Sequence, residues 1–228
     1  MNSPSKNRND FIRHLPFFKD LHDDHFIEIS KEIISQRFSS GKVVSWAGEP
    51  CKGIYFIRSG WLKVTKTSEN GRELTLNLLK KGDSFNLISI FSDHLNPATV
   101  IVLEDAELYF INSDSFYRIV LSSPGMCLAL MKQMADRVKL LTDLAGHLTL
   151  NSVESRIARW LLDESVEGSI QRKKWLTQNE MASIVGTVPD VTSRILRNFV
   201  EEGLIRFDRR EIKITDRNSL AEKVRNLS

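Results

Sequence analysis

The side chains best suited to binding a nucleic acid are concentrated in the last part of the chain. Arg194 and Arg197 lie about one helical turn apart, and three more arginines follow closely: Arg206, Arg209 and Arg210. A guanidinium group can donate paired hydrogen bonds to phosphate oxygens or to the O6 and N7 atoms of guanine. These residue types and spacings predict a DNA-binding surface.

Two short helices are predicted to position these arginines. Thr177 can cap a helix that begins at Gln178, and Gly186 would end that helix in a sharp turn. Pro189 suits the first turn of a second helix. The outward-facing residues of the second helix are Asp190, Ser193, Arg194 and Arg197. This layout is a helix-turn-helix, whose second helix enters the major groove of DNA.

A basic hairpin follows the second helix. Two strand patterns, at 204–207 and 212–215, flank the turn Asp208-Arg209-Arg210, in which Arg209 and Arg210 are expected to contact phosphates. A helix-turn-helix with such a hairpin is a winged helix. Two alternatives remain, a helical hairpin used only for packing and a domain that binds protein. The preceding run Arg172-Lys173-Lys174 is as consistent with a solvated loop as with a part of the DNA-binding surface.

The N-terminal part has a different pattern. A polar leader and an amphipathic helix precede residues 37–112, where short apolar or alternating runs are separated by turn residues such as Asn70-Gly71. Such spacing predicts an antiparallel barrel or double-layered roll. The fold class is therefore α+β, with an N-terminal β-roll of the jelly-roll or double-stranded β-helix type. Its predicted strands are 43–46, 54–57, 61–64, 74–79, 98–102 and 106–111.

A long helix from about Met126 to Leu148 joins the two parts. Its apolar residues recur at spacings of three and four, the heptad pattern of a helix that pairs with another. We predict a parallel homodimer, although packing against the helix's own roll, for example through Leu128, Leu140 and Leu144, would also explain apolar positions. The predicted dimer residues are Met131, Met134, Val138, Leu141, Ala145 and Leu148.

The next helix is predicted to begin after a break at Asn151-Ser152, with Ser152 as its cap. The predicted domains are therefore a sensing roll at 1–123, a dimerisation helix and hinge at 124–150 and a DNA-binding domain at 151–228. Helix-turn-helix proteins usually need two copies to read half-sites one turn of DNA apart.

Composition excludes several classes of protein. The chain has 228 residues, a net charge of +3 and two cysteines, Cys51 and Cys127. Two cysteines cannot supply a four-cysteine iron–sulfur or zinc site, and their number favours a reducing cytoplasm and ordinary packing roles over redox roles. No apolar run approaches the length of a membrane helix. No ligand cluster of a cupin-like metalloenzyme is evident, so an enzyme is not expected.

Taken in order, these features resemble the Crp/Fnr family of bacterial transcription regulators. The resemblance covers about residues 15–220. It rests on the phrases Gly48–Gly60 and Lys81–Phe85 in the roll, and on Arg156–Leu162, Ile184–Thr187 and Thr192–Leu196 in the DNA domain. It implies a two-state switch in which a signal in the roll moves the hinge near Asn151 and repositions the recognition helices. It also implies contact with RNA polymerase through residues 164–174, so activation is favoured over repression.

The effector pocket implied by the resemblance departs from the cyclic-nucleotide pattern. A glutamate that binds ribose and an arginine that binds the cyclic phosphate have no counterparts here, which argues against cyclic AMP or cyclic GMP. The corresponding residues are Phe85, Asn86, Leu87, Asn96, Pro97, Ala98, Leu141 and Thr142. The effector is thus unknown. A small organic molecule, haem bound through His94 or His147, and constitutive DNA competence without an effector all remain open.

The resemblance also assigns roles at the DNA. Base contacts fall at Pro189, Asp190 and Arg194, and we add Ser193 from its outward position. The positions that touch phosphates are Thr177, Gln178, Asn179 and Arg197. Pro189 offers only an apolar contact and Asp190 is shorter than the family's glutamate, so the half-site is expected to differ from that of well-known members.

Overall fold

The computed structural model describes residues 4–15, 17–19, 21–208 and 210–225. Its elements are α1 (Pro4–Arg13), α2 (Asp23–Glu32), β1 (Ile34–Phe38), β2 (Val43–Ser45), β3 (Gly53–Thr67), β4 (Glu73–Leu79), β5 (Ser84–Phe85), α3 (Leu87–Ile90), β6 (Thr99–Asn112), α4 (Ser113–Ser122), α5 (Pro124–Leu150), α6 (Val153–Glu164), β7 (Ser169–Gln171), α7 (Gln178–Val185), α8 (Pro189–Glu201), β8 (Ile205–Phe207), β9 (Glu211–Ile214) and α9 (Arg217–Arg225). The chain forms two compact units. One contains residues up to Lys66 together with Asn77–Leu140, and the other contains Thr67–Leu76 together with residues from Leu141 onward.

The first unit is built on an antiparallel sheet, as the sequence predicts. The sheet has six strands in the order β1-β6-β3-β4, with β2 also paired to β6 and β5 to β3. The long strand β6 holds it together, since β1, β2 and β3 all pair with β6 in antiparallel register. In the chain, α3 lies between β5 and β6, and α4 and α5 follow β6.

Four of the predicted strands merge into two, since 98–102 and 106–111 are both part of β6 and a second pair forms β3. The runs 54–57 and 61–64 form one strand, β3, whose register against β6 shifts around Ser59 and Trp61. Gly60 is the reason that no turn forms there. It has φ +94°, and a Cβ atom at this position would lie 2.6 Å from the Asp105 carbonyl oxygen, so the glycine allows β3 to bend closely against β6.

The core of the first unit includes the end of α1. The polar leader of the sequence analysis is residues 1–10, and α1 continues past it to Phe11 and Ile12, where Ile12 is fully buried in the same cluster as Phe18, Phe56 and Phe116. This helix was not predicted, because two apolar residues after a polar run are too short a pattern to indicate one. Cys51 and Cys127 are free thiols that pack at the edge of this cluster, as expected.

α5 runs without a break from Pro124 to Leu150, as a single helix of 27 residues. Its inner side carries Cys127, Leu130 and Met134, which pack against the core of the first unit. Leu128 and Leu140 do not take that role, since both are exposed. Within the described residues, no helix is both long enough and apolar enough to span a membrane.

The second unit contains the predicted winged helix. Its core is a cluster of buried residues from α6, α7, α8 and the adjoining small sheet, with Phe199, Leu161 and Ile212 fully buried. The sheet has three strands in the order β7-β9-β8. β7 was missed by the sequence analysis, which had a loop there. It is only three residues long and depends on pairing of Ile170 with Ile212.

Ser152 caps α6, as predicted. Its hydroxyl oxygen accepts a hydrogen bond from the backbone N–H of Ser155 at 3.2 Å. Ser152→Ala is expected to lower the free energy of unfolding of the second unit by about 1 kcal/mol, because an N-terminal N–H loses its acceptor. Chemical denaturation measures this change. Ser152→Asp keeps an acceptor and serves as the control, and an equal loss in both variants would contradict the assignment.

Candidate DNA interface and effector cavity

The two helices of the predicted helix-turn-helix are α7 and α8. The Thr177 hydroxyl caps α7 by accepting a hydrogen bond from the Glu180 N–H at 3.2 Å. Gly186 ends α7 in the left-handed conformation, at φ +70°. A Cβ atom at Gly186 would collide with the side chain of Leu148 and lie 3.0 Å from Arg156, so both backbone freedom and space require glycine here.

The turn at Gly186 is also held by hydrogen bonds to its carbonyl oxygen. Arg72 donates to this oxygen at 2.8 Å and Arg156 at 3.3 Å. Burial and the nearby Arg72 cation both lower the pKa of Arg156. Next to the turn, the hydroxyls of Thr75 and Ser183 share a hydrogen bond of 2.8 Å, so residues 67–76 contact α7 and the turn directly.

α8 presents the predicted base-contacting residues. Pro189 is its first residue, as expected, and Leu196 and Phe199 are buried on its inner side. Asp190, Arg194 and Arg197 are exposed. Within the described part of the chain, neither Arg194 nor Arg197 has an ion-pair or hydrogen-bond partner, so both guanidinium groups are available to a ligand.

Ser193 differs from the other outward residues of α8. It is half-buried, and its hydroxyl donates to the Gln178 side-chain oxygen at 2.8 Å or to the Pro189 carbonyl at 2.9 Å. The structure thus brings together one residue predicted to read bases and one predicted to touch phosphate. Their bond fixes α7 against α8, and in this arrangement it occupies the Ser193 hydroxyl.

In the wing, Asp208 is hydrogen-bonded to the start of β9. The Asp208 carboxylate accepts hydrogen bonds from the backbone N–H groups of Arg210, at 2.6 Å, and Glu211, at 2.9 Å. These bonds, with that of Glu211 the larger cause, lower the pKa of Asp208. Arg210 is exposed, and Arg209 lies outside the described residues.

The basic run before α7 has two different roles. Arg172 is structural, because its guanidinium lies over the Phe207 ring at 4.7 Å and donates to the Asp208 carbonyl at 2.9 Å. Lys173 and Lys174 are exposed. They line an open groove together with Thr177, Gln178, Asn179 and Phe207. The sequence alone leaves the whole run consistent with a solvated loop, whereas this groove places two lysines beside three predicted phosphate contacts.

A separate cavity of about 140 Å³ lies in the first unit. Five of the predicted effector residues line it: Phe85, Asn86, Leu87, Pro97 and Ala98. Asn96 is buried beside them in the chain, and its side-chain oxygen has no hydrogen-bond partner among the described residues. Leu141 and Thr142 do not line the cavity; both are exposed on α5.

α5 supplies cavity residues that sequence reasoning missed. Gln133, Met134 and Arg137 all line the cavity, and the Gln133 side-chain oxygen accepts a hydrogen bond from Ser84 at 3.5 Å. The spacing of Gln133 and Arg137, one turn apart on the inner side of a largely apolar helix, is the signal that could have identified them. Met134, which is also predicted to lie at the dimer interface, lines the cavity as well.

The two histidines considered as haem ligands are in different surroundings. His94 is exposed at φ +60°, and its carbonyl oxygen accepts from the Cys51 N–H at 2.7 Å. His147 shares a hydrogen bond of 2.9 Å with the Asn151 side chain. Among the described residues, no group of three or more His, Cys, Asp and Glu side chains is arranged to hold a metal ion.

Comparison with known proteins identifies two domain types, one in each part of the chain. Residues 35–123 match the cyclic nucleotide-binding domain, and residues 155–223 match the Crp-like helix-turn-helix domain. The CRP-like cAMP-activated global transcriptional regulator of Mycobacterium tuberculosis is 24% identical over 214 residues, which cover 91% of this chain and 96% of that protein. The cAMP-activated global transcriptional regulator Vfr of Pseudomonas aeruginosa is 26% identical over 203 residues, covering 85% and 92%.

A solved structure with the same fold leads to the same family. A Crp/Fnr-family transcriptional regulator from Eubacterium rectale superposes with a TM-score of 0.78 at 27% identity, covering 93% of this chain and 99% of that one. Both domain types are thus present in the family's order, with the helix-turn-helix at α7 and α8. The chain belongs to the Crp/Fnr family of DNA-binding transcription regulators.

Proposed function

We propose that the chain acts as a parallel homodimer paired through α5, with one α8 helix reading each half of a two-fold symmetric operator. The observation that carries this proposal is an exposed apolar stripe on the outer side of α5. Met131 is 60% exposed and Val138 is 65% exposed, and they lie one heptad apart. Leu128 and Leu141 extend the stripe in both directions. A helix with two apolar sides, one of them uncovered, is suited to pairing with a second copy.

The dimer serves as a switch in this proposal. An effector in the cavity beside α5 biases how the two α5 helices pack, and this changes the separation of the two α8 helices. The cavity lining supports this route, since Gln133, Met134 and Arg137 belong to α5. A second route is the strand β4, which carries Leu79 at the cavity and Thr75 at its bond with Ser183.

Activation of transcription is the proposed outcome. Residues 166–169 form a tight turn, in which Val166 and Ser169 exchange two backbone hydrogen bonds of 2.9 and 3.0 Å. Val166 at this turn is 76% exposed, which gives RNA polymerase an ordered apolar contact. The protein so described acts in the cytoplasm, and its role is binding DNA and polymerase rather than catalysis.

The experiment that tests this function is selection of genomic DNA fragments by the purified full chain, with and without a cell metabolite extract. Enrichment that requires the extract supports an effector-gated dimer, whereas equal enrichment without it contradicts gating. An absorption spectrum of the same preparation comes first. A Soret band would replace the organic effector by haem and direct mutagenesis to His94 and His147.

The lysines of the groove beside α7 give a separate prediction. Lys173→Ala with Lys174→Ala is expected to weaken binding to all DNA sequences alike, because phosphate contacts carry no sequence information. The slope of log affinity against log salt should fall by roughly one per lost contact. Fluorescence titrations at several salt concentrations measure it. Lys31→Ala, an exposed lysine of the other unit, is the matched control, and an unchanged slope in the double variant would remove these lysines from the interface.

A further inference from the structure

The cavity in the first unit has one charged group in its lining. Its walls are mainly apolar, with Val64, Leu79, Phe85 and Val100 among them. Asn77, Ser84, Asn86, Ser89 and Gln133 add neutral polar groups. Among the described residues that line it, Arg137 is the only ionised side chain, and none is an aspartate or a glutamate.

Arg137 belongs to this lining and has no partner among the residues that the structure describes. The side chain is half-buried, and burial lowers the pKa of its guanidinium group. Within the described residues it forms neither an ion pair nor a hydrogen bond, although a guanidinium has five N–H donors. A partly desolvated cation without a protein acceptor gains more from pairing with an anion than a fully solvated one does.

A second polar group in the lining is also unsatisfied. The Ser89 hydroxyl is fully buried and, apart from an interaction with the Cys51 thiol, has no hydrogen-bond partner in the part of the chain that the structure describes. It lies in α3, whereas Arg137 lies in α5. Two separate elements therefore each bring to one cavity a donor that a ligand could engage, as is typical of a binding site with a few fixed polar groups.

The size of the cavity restricts the ligand. Its volume of about 140 Å³ is close to that of an engineered apolar cavity of about 150 Å³ that accepts benzene in another protein. A cyclic nucleotide, with a purine, a ribose and a phosphate, is several times larger than benzene. The apolar walls likewise fit a hydrocarbon body better than a ribose.

The charge pattern restricts the ligand further. A doubly charged phosphate would need several cationic donors, whereas this cavity offers one guanidinium and neutral amides and hydroxyls. One guanidinium matches the two oxygens of a carboxylate in a planar, bidentate pair. We propose that the effector is a small aromatic or branched aliphatic carboxylate, with its carboxylate bound by Arg137 and its apolar body against Phe85, Leu79 and Val100. This inference rests on the proposed function, in which the cavity binds an effector.

Binding of such an anion would act directly on the dimer helix. Arg137 is adjacent to Val138, which belongs to the exposed stripe of α5. A carboxylate that fixes the Arg137 side chain therefore orders the helix at the point where the partner copy is proposed to pack. A neutral molecule of the same shape would fill the cavity without this ordering.

The test uses the full-length protein and isothermal titration with benzoate, phenylacetate and isovalerate, each compared with its primary amide. At least one carboxylate is expected to bind tenfold or more tightly than its amide, since only the charged ligand pairs with Arg137. Arg137→Gln should remove this preference and leave amide binding unchanged. Lys132→Gln, an exposed cation on the same helix, should keep it.

Three results would overturn the inference. They are the absence of carboxylate binding, equal binding of acid and amide, and a preference that survives in Arg137→Gln. Circular dichroism and thermal unfolding establish that the variant is folded. DNA selection with metabolite extract is run on the same preparation. If the extract alters DNA binding while no carboxylate binds, the anion inference fails and the effector-gated regulator stands. If no metabolite alters DNA binding, the gating itself fails.

Discussion

Replacing Met131 and Val138 together by glutamate is expected to convert the dimer to a monomer and to lower operator affinity by at least about 100-fold. Both side chains project from the outer side of α5 and are largely exposed in the single chain. In a parallel pair of helices each glutamate would face its own copy, so like charges would be brought together in an apolar interface. When the two recognition helices are on separate molecules, binding at one half-site no longer raises the effective concentration of the second helix at the other half-site.

Sedimentation velocity and DNA titration on the same preparation measure both effects. Leu121→Glu is the matched control, because Leu121 is also an exposed apolar residue, at 63%, but lies on α4. The control is expected to remain dimeric and to keep its affinity. A double variant that stays dimeric would show that α5 does not form the interface, and a monomer with undiminished affinity would show that one copy is sufficient.

Arg194→Ala is expected to cost about 1–3 kcal/mol at one base pair of each half-site, a loss of roughly 5- to 150-fold in discrimination there. Arg194 is exposed on α8 and, within the described residues, its guanidinium is unpaired. It can therefore bind the O6 and N7 atoms of guanine without first breaking a bond in the protein. Affinities for operators with each base pair substituted in turn measure the loss.

Arg197→Ala separates reading of the bases from binding of the backbone. Arg197 is equally exposed on the same helix and is proposed to contact phosphate, so its removal should weaken all operators by a similar factor. If Arg194→Ala also weakens all operators alike, Arg194 is a phosphate contact. If Arg194→Ala changes nothing, α8 does not enter the groove as proposed.

The winged helix was predictable because its signals are local. A capping threonine, a glycine that must adopt positive φ, and a proline in the first turn each act within a few residues, and each is found in the structure. β7 was not predictable by the same means. Three residues in a polar loop give no alternation, and the strand exists only because β9 pairs with it.

The roll was predictable as a class of fold but not in the number of its strands. Ser59-Gly60 has the composition of a turn, yet Gly60 permits a bend within β3, since its missing Cβ leaves room for the backbone of β6. A turn and a bend of this kind use the same residues, and only the position of the neighbouring strand distinguishes them. Asn70-Gly71, by contrast, does lie between two strands, with φ +75° at Gly71.

The candidate effector site was predicted in part. Its residues on and around α3 follow from family motifs, and five of them line the cavity. Gln133 and Arg137 are far from these in sequence, and a charged residue on a helix usually faces solvent. Their role depends on how α5 packs within the first unit, which no local pattern specifies. Met134 shows the same limit, because its heptad position gave no indication that it also lines the cavity.

The most direct test of the account is to sequence the DNA that the purified full chain selects, and to repeat the selection with Arg194→Ala. The account predicts a two-fold symmetric motif whose half-sites are centred about one helical turn apart, roughly 10 base pairs. It also predicts one guanine–cytosine pair in each half that loses its preference in the variant. A single asymmetric motif, or a symmetric motif that Arg194→Ala leaves unchanged at every position, would contradict it.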